Sequence, residues 1–205
     1  YMETFPAWSP NGKDLYFTRA QSYQKGMSLD SIRYDLCKVS FDSSTEKLGA
    51  PEVLFQASAQ SKSVSFPCIS PDGKYLMFTL SDYGNFSIWH PESELYLMNL
   101  NSNEIRPLVE VNSDDVDSYH TWSSNGHWFV FSSKRMDGLW ARPYFASFNP
   151  ETGETGKPFF LPQIDPLFYD NYLYPYNRPE LINEPVKHGK EFERIISQKA
   201  VQAVG

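Results

Sequence analysis

One motif of an apolar residue, a serine, a turn and a phenylalanine occurs three times in this chain. The three copies read "WSPNGKDLYF" from Trp8, "ISPDGKYLMF" from Ile69 and "WSSNGHWFVF" from Trp122. Their glycines lie 61 residues apart (12 to 73) and then 53 residues apart (73 to 126). Repetition at a nearly constant spacing indicates an array of similar structural units.

Each copy predicts a β-hairpin. Apolar residues alternate with polar ones on both sides of the turn, which is typical of two strands that share one packed face. Proline, asparagine or aspartate, and glycine form the first two turns, and these residues favour the backbone angles of a tight reversal. Three positions are apolar in every copy: Trp8, Ile69 and Trp122; Leu15, Leu76 and Phe129; Phe17, Phe78 and Phe131.

Two further strand-like runs follow each hairpin. The third runs are "RYDLCKVSF", "ELYLMNL" and "RPYFASFNP", and the fourth are "KLGAPEVLF", "EIRPLVEV" and "GKPFFLP". Four-stranded antiparallel units at this spacing are typical of β-propeller blades, whose sheets bury their faces by stacking on one another. We therefore predict an all-β fold with blades at about 3–56, 63–111 and 118–162. A β-sandwich is the alternative, but it does not require the same positions to recur three times.

The remainder of the chain, 163–205, lacks this alternation. Its first part mixes proline with tyrosine and phenylalanine, which predicts an irregular arm packed on the blades through its rings. The segment 191–205 has helical spacing and predicts a short terminal helix. Three blades do not close a ring. We therefore expect completion by further blades, or self-association through an exposed apolar face.

Composition excludes several classes of function. The chain has 18 basic and 25 acidic residues, a net charge of -7 and no cluster of Lys and Arg, so nucleic acid is not an expected partner. No apolar run approaches the roughly 18 residues of a membrane span. Cys37 and Cys68 lie singly in strand-like runs and predict free thiols, with a disulfide between them as the alternative.

Patterns for catalysis and metal binding are weak. The four histidines have no metal-ligand spacing, and the sequence contains no nucleophile elbow or phosphate loop, so no metal, cofactor or nucleophile is predicted. The acidic loop at Asp114, Asp115 and Asp117 lacks the glycine and glutamate of a calcium loop, which favours a solvated connector. A glycosidase needs only two converging carboxylates, and this alternative stays open.

The segment "SSKRMDGLWARPYF" interleaves charged and aromatic residues in the loop of the last blade, where propellers commonly bind partners. The insertions at about 20–32 and 81–93 are equivalent loops, so the three loops are expected to form one rim. The predicted ligand-binding residues are His120, Arg135, Asp137, Trp140, Arg142, Tyr144, Trp89 and His90. The structural alternative is an ion pair from Arg135 or Arg142 to Asp137 that only holds the loop.

The stretches "PAWSPNGKDLYFT" and "PCISPDGKYLMFT" resemble the WD-repeat-like blades of TolB-type propellers of the bacterial cell envelope. The resemblance covers about 3–161, and Cys68, Ile69 and Ser124 depart from the usual residues. The stretch 118–166 is similar to the final blade of such proteins. The resemblance implies a periplasmic, non-catalytic module that binds a protein or glycan. A propeller glycosidase or polysaccharide lyase is the enzyme alternative.

Overall fold

The computed structural model describes residues 1–185, 194 and 197, which form three antiparallel sheets in sequence order. Blade 1 contains β1 (Met2–Trp8), β2 (Asp14–Ala20), β3 (Asp35–Asp42), β4 (Lys47–Leu48) and β5 (Glu52–Phe55). Blade 2 contains β6 (Ser63–Ile69), β7 (Tyr75–Ser81), β8 (Glu94–Asn99) and β9 (Ile105–Pro107). Blade 3 contains β10 (Asp117–Trp122), β11 (Trp128–Ser133), β12 (Arg142–Ser147) and β13 (Phe159–Phe160). The predicted all-β blades are confirmed.

Irregular elements connect and follow the blades. In blade 1 the fourth strand is divided, because both β4 and β5 pair with β3. Single 3-10 turns lie at Leu29–Ser31, Ala57–Gln60 and Ser87–Trp89, and a short helix α1 spans Phe168–Asn171. The predicted terminal helix at 191–205 lies outside the described residues, apart from two isolated positions.

The repeated hairpin turns share one hydrogen-bond pattern. In each turn a serine hydroxyl donates to the carboxamide or carboxylate two residues later, and that side chain accepts the amide two residues further on. The hydroxyl bonds are Ser9 to Asn11 (2.8 Å), Ser70 to Asp72 (2.6 Å) and Ser123 to Asn125 (2.7 Å). The residue after the asparagine or aspartate is a glycine in each turn, with a φ between +68° and +73°. This backbone conformation strains residues other than glycine. The turns are therefore fixed by local sequence.

Alternation along β7 divides the core between two interfaces. Leu76 and Phe78 lie in the cluster shared with blade 1, whereas Met77 lies in the cluster shared with blade 3. Because successive side chains of a strand point to opposite faces, one strand supplies both interfaces. The hydrophobic core therefore lies between the blades.

The tryptophan before the hairpin turn differs in exposure between blade 1 and blade 3, depending on whether a neighbouring sheet covers it. The indole nitrogen of Trp122 in blade 3 donates to the Cys68 carbonyl of blade 2 over 3.1 Å. The equivalent Trp8 in blade 1 is 51 % exposed. On the same side of blade 1, Leu15, Phe17 and Val39 line an apolar groove of about 280 Å³. Neighbouring sheets therefore determine the burial of repeat residues.

The first strand of each blade (β1, β6 and β10) contains a β-bulge at an equivalent position. Phe5, Phe66 and Tyr119 have φ values of +54°, +54° and +55°, and the strand register shifts at these points. Their rings form a row, with centroid separations of 4.1 Å from Phe5 to Phe66 and 4.9 Å from Phe66 to Tyr119. Bulges re-aim side chains. Here they align three half-buried rings along the first strands of the three blades.

The C-terminal arm, residues 163–185, covers the far face of blade 3. Between blades 2 and 3, the Thr79 hydroxyl lies 2.9 Å from that of Ser118. At the equivalent position of blade 3, Ser132 donates to the arm carbonyl of Asn177 over 3.3 Å. The Thr121 hydroxyl donates to the Pro179 carbonyl over 2.8 Å. The arm thus supplies hydrogen-bond partners where a following blade would otherwise lie.

Two other sequence expectations concern the thiols and the membrane. Cys37 and Cys68 are both free, and burial raises the pKa of each thiol. Within the part of the chain that the structure describes, no helix has the length and apolarity to cross a membrane.

Candidate functional site: the loop rim

Three loops at one end of the blades lie in contact and form the loop rim, defined as 21–34 of blade 1, 82–93 of blade 2 and 134–141 of blade 3. The Gly84 amide donates to the Ile32 carbonyl over 2.8 Å, which joins the first two loops. The Lys134 ammonium lies 4.4 Å from the centroid of the Trp89 ring, which joins the second and third. The three loops therefore form a continuous surface.

Trp89 is the most exposed aromatic side chain of the loop rim, at 74 %. The 3-10 turn that carries it is anchored from below, because Ile88 packs against Val116 and Ala141. The Ser87 hydroxyl also lies 2.6 Å from that of Ser118. A firmly held backbone therefore presents an exposed indole face next to a cation.

His90 lies beside Trp89 but is mostly buried. Its Nδ1 lies 3.2 Å from a Glu92 carboxylate oxygen, and its ring packs edge-on against Tyr83 with centroids 4.4 Å apart. These contacts orient the imidazole within the loop and leave little of it to face solvent.

Asp137 and Trp140 belong to the turn at the tip of the third loop. One Asp137 carboxylate oxygen accepts the amides of Leu139 and Trp140 over 2.8 and 2.9 Å. The second oxygen lies 4.0 Å from the Arg142 guanidinium. Asp137 therefore stabilises the loop, in agreement with the structural alternative for this residue.

The guanidinium of Arg135 makes its hydrogen bonds with residues outside the third loop rather than with other residues of that loop. Its guanidinium lies 2.5 Å from the Asp117 carboxylate and donates to the Val111 carbonyl over 2.7 Å. It also lies over the Tyr144 ring, 4.6 Å from the centroid. Burial raises the pKa of Asp117 in spite of the neighbouring guanidinium. The ion pair of Arg135 is with Asp117, so of the two arginines that the structural alternative named as partners of Asp137 only Arg142 lies near it.

Arg142 and Tyr144 were expected on the rim surface, but the structure places both in the interior. Arg142 is 1 % exposed, and its guanidinium donates to three arm carbonyls, those of Tyr169 (2.9 Å), Tyr172 (2.9 Å) and Tyr174 (3.1 Å). Tyr144 packs in the core between blades 2 and 3. Arg142 therefore fastens the arm, because its donors are directed at the arm backbone.

His120 was also expected at the rim and is fully buried in β10. Its Nε2 lies 3.1 Å from the Met77 carbonyl, and its Nδ1 has no hydrogen-bond partner among the described residues. Burial, aided by the positive charge of Arg178, lowers the pKa of His120 to about 3. The imidazole is therefore neutral at physiological pH and joins two blades.

This burial predicts a pH dependence of stability. The unfolded histidine binds a proton near its ordinary pKa of 6.5 and the folded one only near 3, so acidification below pH 6.5 favours unfolding. The slope is about 1.4 kcal/mol per pH unit, or about 2 kcal/mol between pH 6.5 and 5. Urea denaturation at several pH values measures it.

His120→Phe and His120→Gln are the variants for comparison, since neither side chain titrates. The raised pKa of Asp117 acts in the opposite direction, but it is present in every protein compared and cancels in the difference. Parallel pH profiles for the wild type and both variants would contradict the assignment to His120.

Metal binding is not indicated by the described side chains. Asp117 of the acidic loop is bound to Arg135 and to the Ser113 amide over 2.7 Å. Within 1–185 and the two isolated described positions, no three His, Cys, Asp or Glu side chains converge as metal ligands.

Sequence reasoning did not single out several rim residues. Phe86, Met136 and Leu139 are large, apolar and exposed on the second and third loops. They belong to loop segments without periodicity, so no pattern separates them from buried residues. Met136 and Leu139 lie, like Lys134, within the segment that was singled out, but they were not named as ligand residues. The contact of Lys134 with Trp89 requires two loops to meet.

Comparison with known proteins shows the fold. No family model matches the chain, and no curated protein matches its sequence. An oligogalacturonate lyase in complex with manganese is similar over 75 % of this chain, with a TM-score of 0.52 and 14 % identity. TolB from Acinetobacter baumannii is similar over 74 %, with a TM-score of 0.46 and 20 % identity.

The β-propeller domain of the Trilobed protease from Pyrococcus furiosus is similar over 79 % of this chain, with a TM-score of 0.44 and 15 % identity. The matches cover 31 % of TolB, 41 % of the lyase chain and 43 % of the protease chain, so this chain spans less than half of each. At such identities the likeness concerns architecture. The chain therefore has a propeller-like fold, and the comparisons assign it no specific family.

Proposed function

We propose that this chain is a non-catalytic propeller module of the bacterial cell envelope that binds a protein ligand through the loop rim. The observation that carries the proposal is the exposed indole of Trp89, stacked on Lys134 and held on an anchored turn. Exposed Phe86 and Leu139 extend the apolar surface on the two loops.

The chemistry of the loop rim favours a protein over a glycan. Tryptophan and neighbouring cations are common anchors of protein interfaces, particularly where the backbone is preorganised. A glycan needs polar side chains free to bond its hydroxyls beside an aromatic ring. Arg135, Asp137 and Arg142 are the charged residues predicted for this task, and all three are engaged in bonds within the chain.

The test uses the whole chain immobilised and exposed to a cell-envelope extract of its host. A bound protein is identified by mass spectrometry, purified and titrated by calorimetry. Trp89→Ala is expected to weaken its binding at least tenfold, since central tryptophans often contribute 2 kcal/mol or more. Lys134→Ala is expected to weaken it less.

Trp128→Ala is the matched control. Trp128 is an exposed tryptophan at the opposite end of β11 from the loop rim, so its removal is expected to leave binding unchanged. Equal affinity of Trp89→Ala and wild type would contradict the site. Binding only to glycans on an array, or cleavage of a polysaccharide by the chain, would contradict the proposed function.

The envelope assignment rests on the sequence resemblance of the blades to TolB-type propellers. Fractionation of host cells, with an antibody against this chain and compartment markers, tests it. The protein is expected with the periplasmic markers, and recovery only with the cytoplasmic marker would contradict the assignment.

A further inference from the structure

A polar cavity of about 640 Å³ lies in blade 1, at the end of the sheet that carries the loop rim. It is bounded by the end of β2, the segment leading into β3, and the residues after β5. Ligand pockets are commonly about 300 to 1,000 Å³ in volume. We propose that this cavity binds a small organic monocarboxylate.

The charged side chains around the cavity have a net positive charge. Arg19, Arg33 and Asp35 are the charged side chains in its lining, which gives two positive charges and one negative. Asp35 already accepts the amide and the hydroxyl of Ser58, over 2.8 and 3.1 Å. Neither arginine lies within 4.0 Å of a carboxylate in the described residues. The charged side chains of the lining therefore sum to one positive charge.

Arg33 also has unused hydrogen-bonding capacity. Its Nε is buried without a partner among the described residues, and one terminal nitrogen reaches only the Asp30 carbonyl, at 3.3 Å. Buried cationic donors are normally bonded, because leaving them unpaired is unfavourable. A carboxylate matches the planar fork of a guanidinium and accepts two of its hydrogen bonds. A carboxylate in the cavity would accept hydrogen bonds from the terminal nitrogens of Arg33, which have only the Asp30 carbonyl as a partner among the described residues.

The rest of the lining favours an organic anion over an inorganic one. Ala20, Met27, Ile32 and Val53 present apolar surface beside the two arginines. A hydrocarbon or ring portion of a ligand would bury this apolar surface, whereas bound phosphate would leave it exposed to water. The net charge of plus one in the lining also matches a monocarboxylate better than a phosphate dianion, half of whose charge would stay unpaired.

Calorimetric titration of the whole chain tests the proposal with sodium benzoate and sodium glucuronate as probes. Benzamide and glucose are their neutral counterparts, and inorganic phosphate is the anion without an apolar part. At least one carboxylate is expected to bind saturably to one site, and more tightly than its neutral counterpart and phosphate. Arg19→Gln and Arg33→Gln are each expected to weaken that binding tenfold or more.

Lys47→Gln is the control, since it removes one positive charge from an exposed position of β4 outside the cavity. It is expected to bind like wild type, and so is Trp89→Ala, because Trp89 lies on the second loop and does not line the cavity. Far-UV circular dichroism verifies that each variant is folded. If Arg33→Gln does not fold, Arg19→Gln and Arg33→Lys decide the question, and Arg33→Lys is expected to bind more weakly than wild type.

Four results would overturn the proposal. The first two are the absence of saturable binding by both carboxylates and equal binding by the neutral counterparts. The others are binding by phosphate that is as tight or tighter, and unchanged affinity in the folded arginine variants.

Discussion

Replacing Phe78 by alanine is expected to lower the free energy of unfolding by about 3 to 5 kcal/mol. Its ring is fully buried and stacks on Tyr96 of the same sheet at a centroid distance of 5.9 Å. It also lies 5.9 Å from the ring of Phe55 in blade 1. The substitution therefore opens a cavity in the interface between two blades, where rigid sheets limit collapse.

Urea denaturation followed by tryptophan fluorescence measures this loss. Phe86→Ala is the matched control, because that phenylalanine is 70 % exposed and its removal is expected to change stability by less than about 0.5 kcal/mol. A loss below 1 kcal/mol for Phe78→Ala would contradict the packing of blade 2 on blade 1.

Replacing Arg142 by alanine is expected to cost about 3 kcal/mol and to loosen the arm. The guanidinium donates to three backbone carbonyls of residues 169–174, and charge-assisted hydrogen bonds of this kind contribute about 1.5 to 3 kcal/mol each. The carbonyls regain part of this energy from water once the arm separates, so the net loss is smaller than the sum. Denaturation and limited proteolysis measure the two effects.

The planar guanidinium of Arg142 donates several hydrogen bonds in fixed directions, which a single positive charge does not do. Arg142→Lys is expected to recover only part of the stability, since one ammonium does not reproduce the geometry of the three bonds. Lys157→Ala, at an exposed position of blade 3, is the control. A loss below 1 kcal/mol, with unchanged cleavage of the arm, would favour the original expectation that Arg142 is a surface ligand residue.

The two substitutions illustrate different degrees of sequence predictability. Phe78 recurs in register with Phe17 and Phe131, and its burial is expected from period-two alternation alone. Arg142 follows a charged and aromatic loop, which resembles a ligand-binding segment in sequence. Its burial results from the arm that follows it 27 to 32 residues later. A pattern confined to one loop does not contain this contact.

The loop rim was only partly predictable for the same reason. The sequence indicates three equivalent loops, and the structure brings Trp89 and the third loop together through Lys134. It also places Arg135, His120 and Tyr144 among neighbouring strands, where their polar atoms bond within the chain or remain buried. Aromatic and charged residues bind ligands or fill interfaces, and their composition does not distinguish the two roles.

The sequence by itself determined the elements whose interactions are local. Hairpin turns depend on a serine, an asparagine or aspartate and a glycine within four positions, and strand alternation depends on neighbours two residues apart. These local features predict three antiparallel blades, and the charge composition makes nucleic acid an unexpected partner. Only the tertiary structure decided which repeat residues are covered and which charges face solvent. Burial depends on sheets and an arm that are distant in sequence, so the exposed Trp89, the buried Arg142 and the blade 1 cavity emerge only in the folded chain.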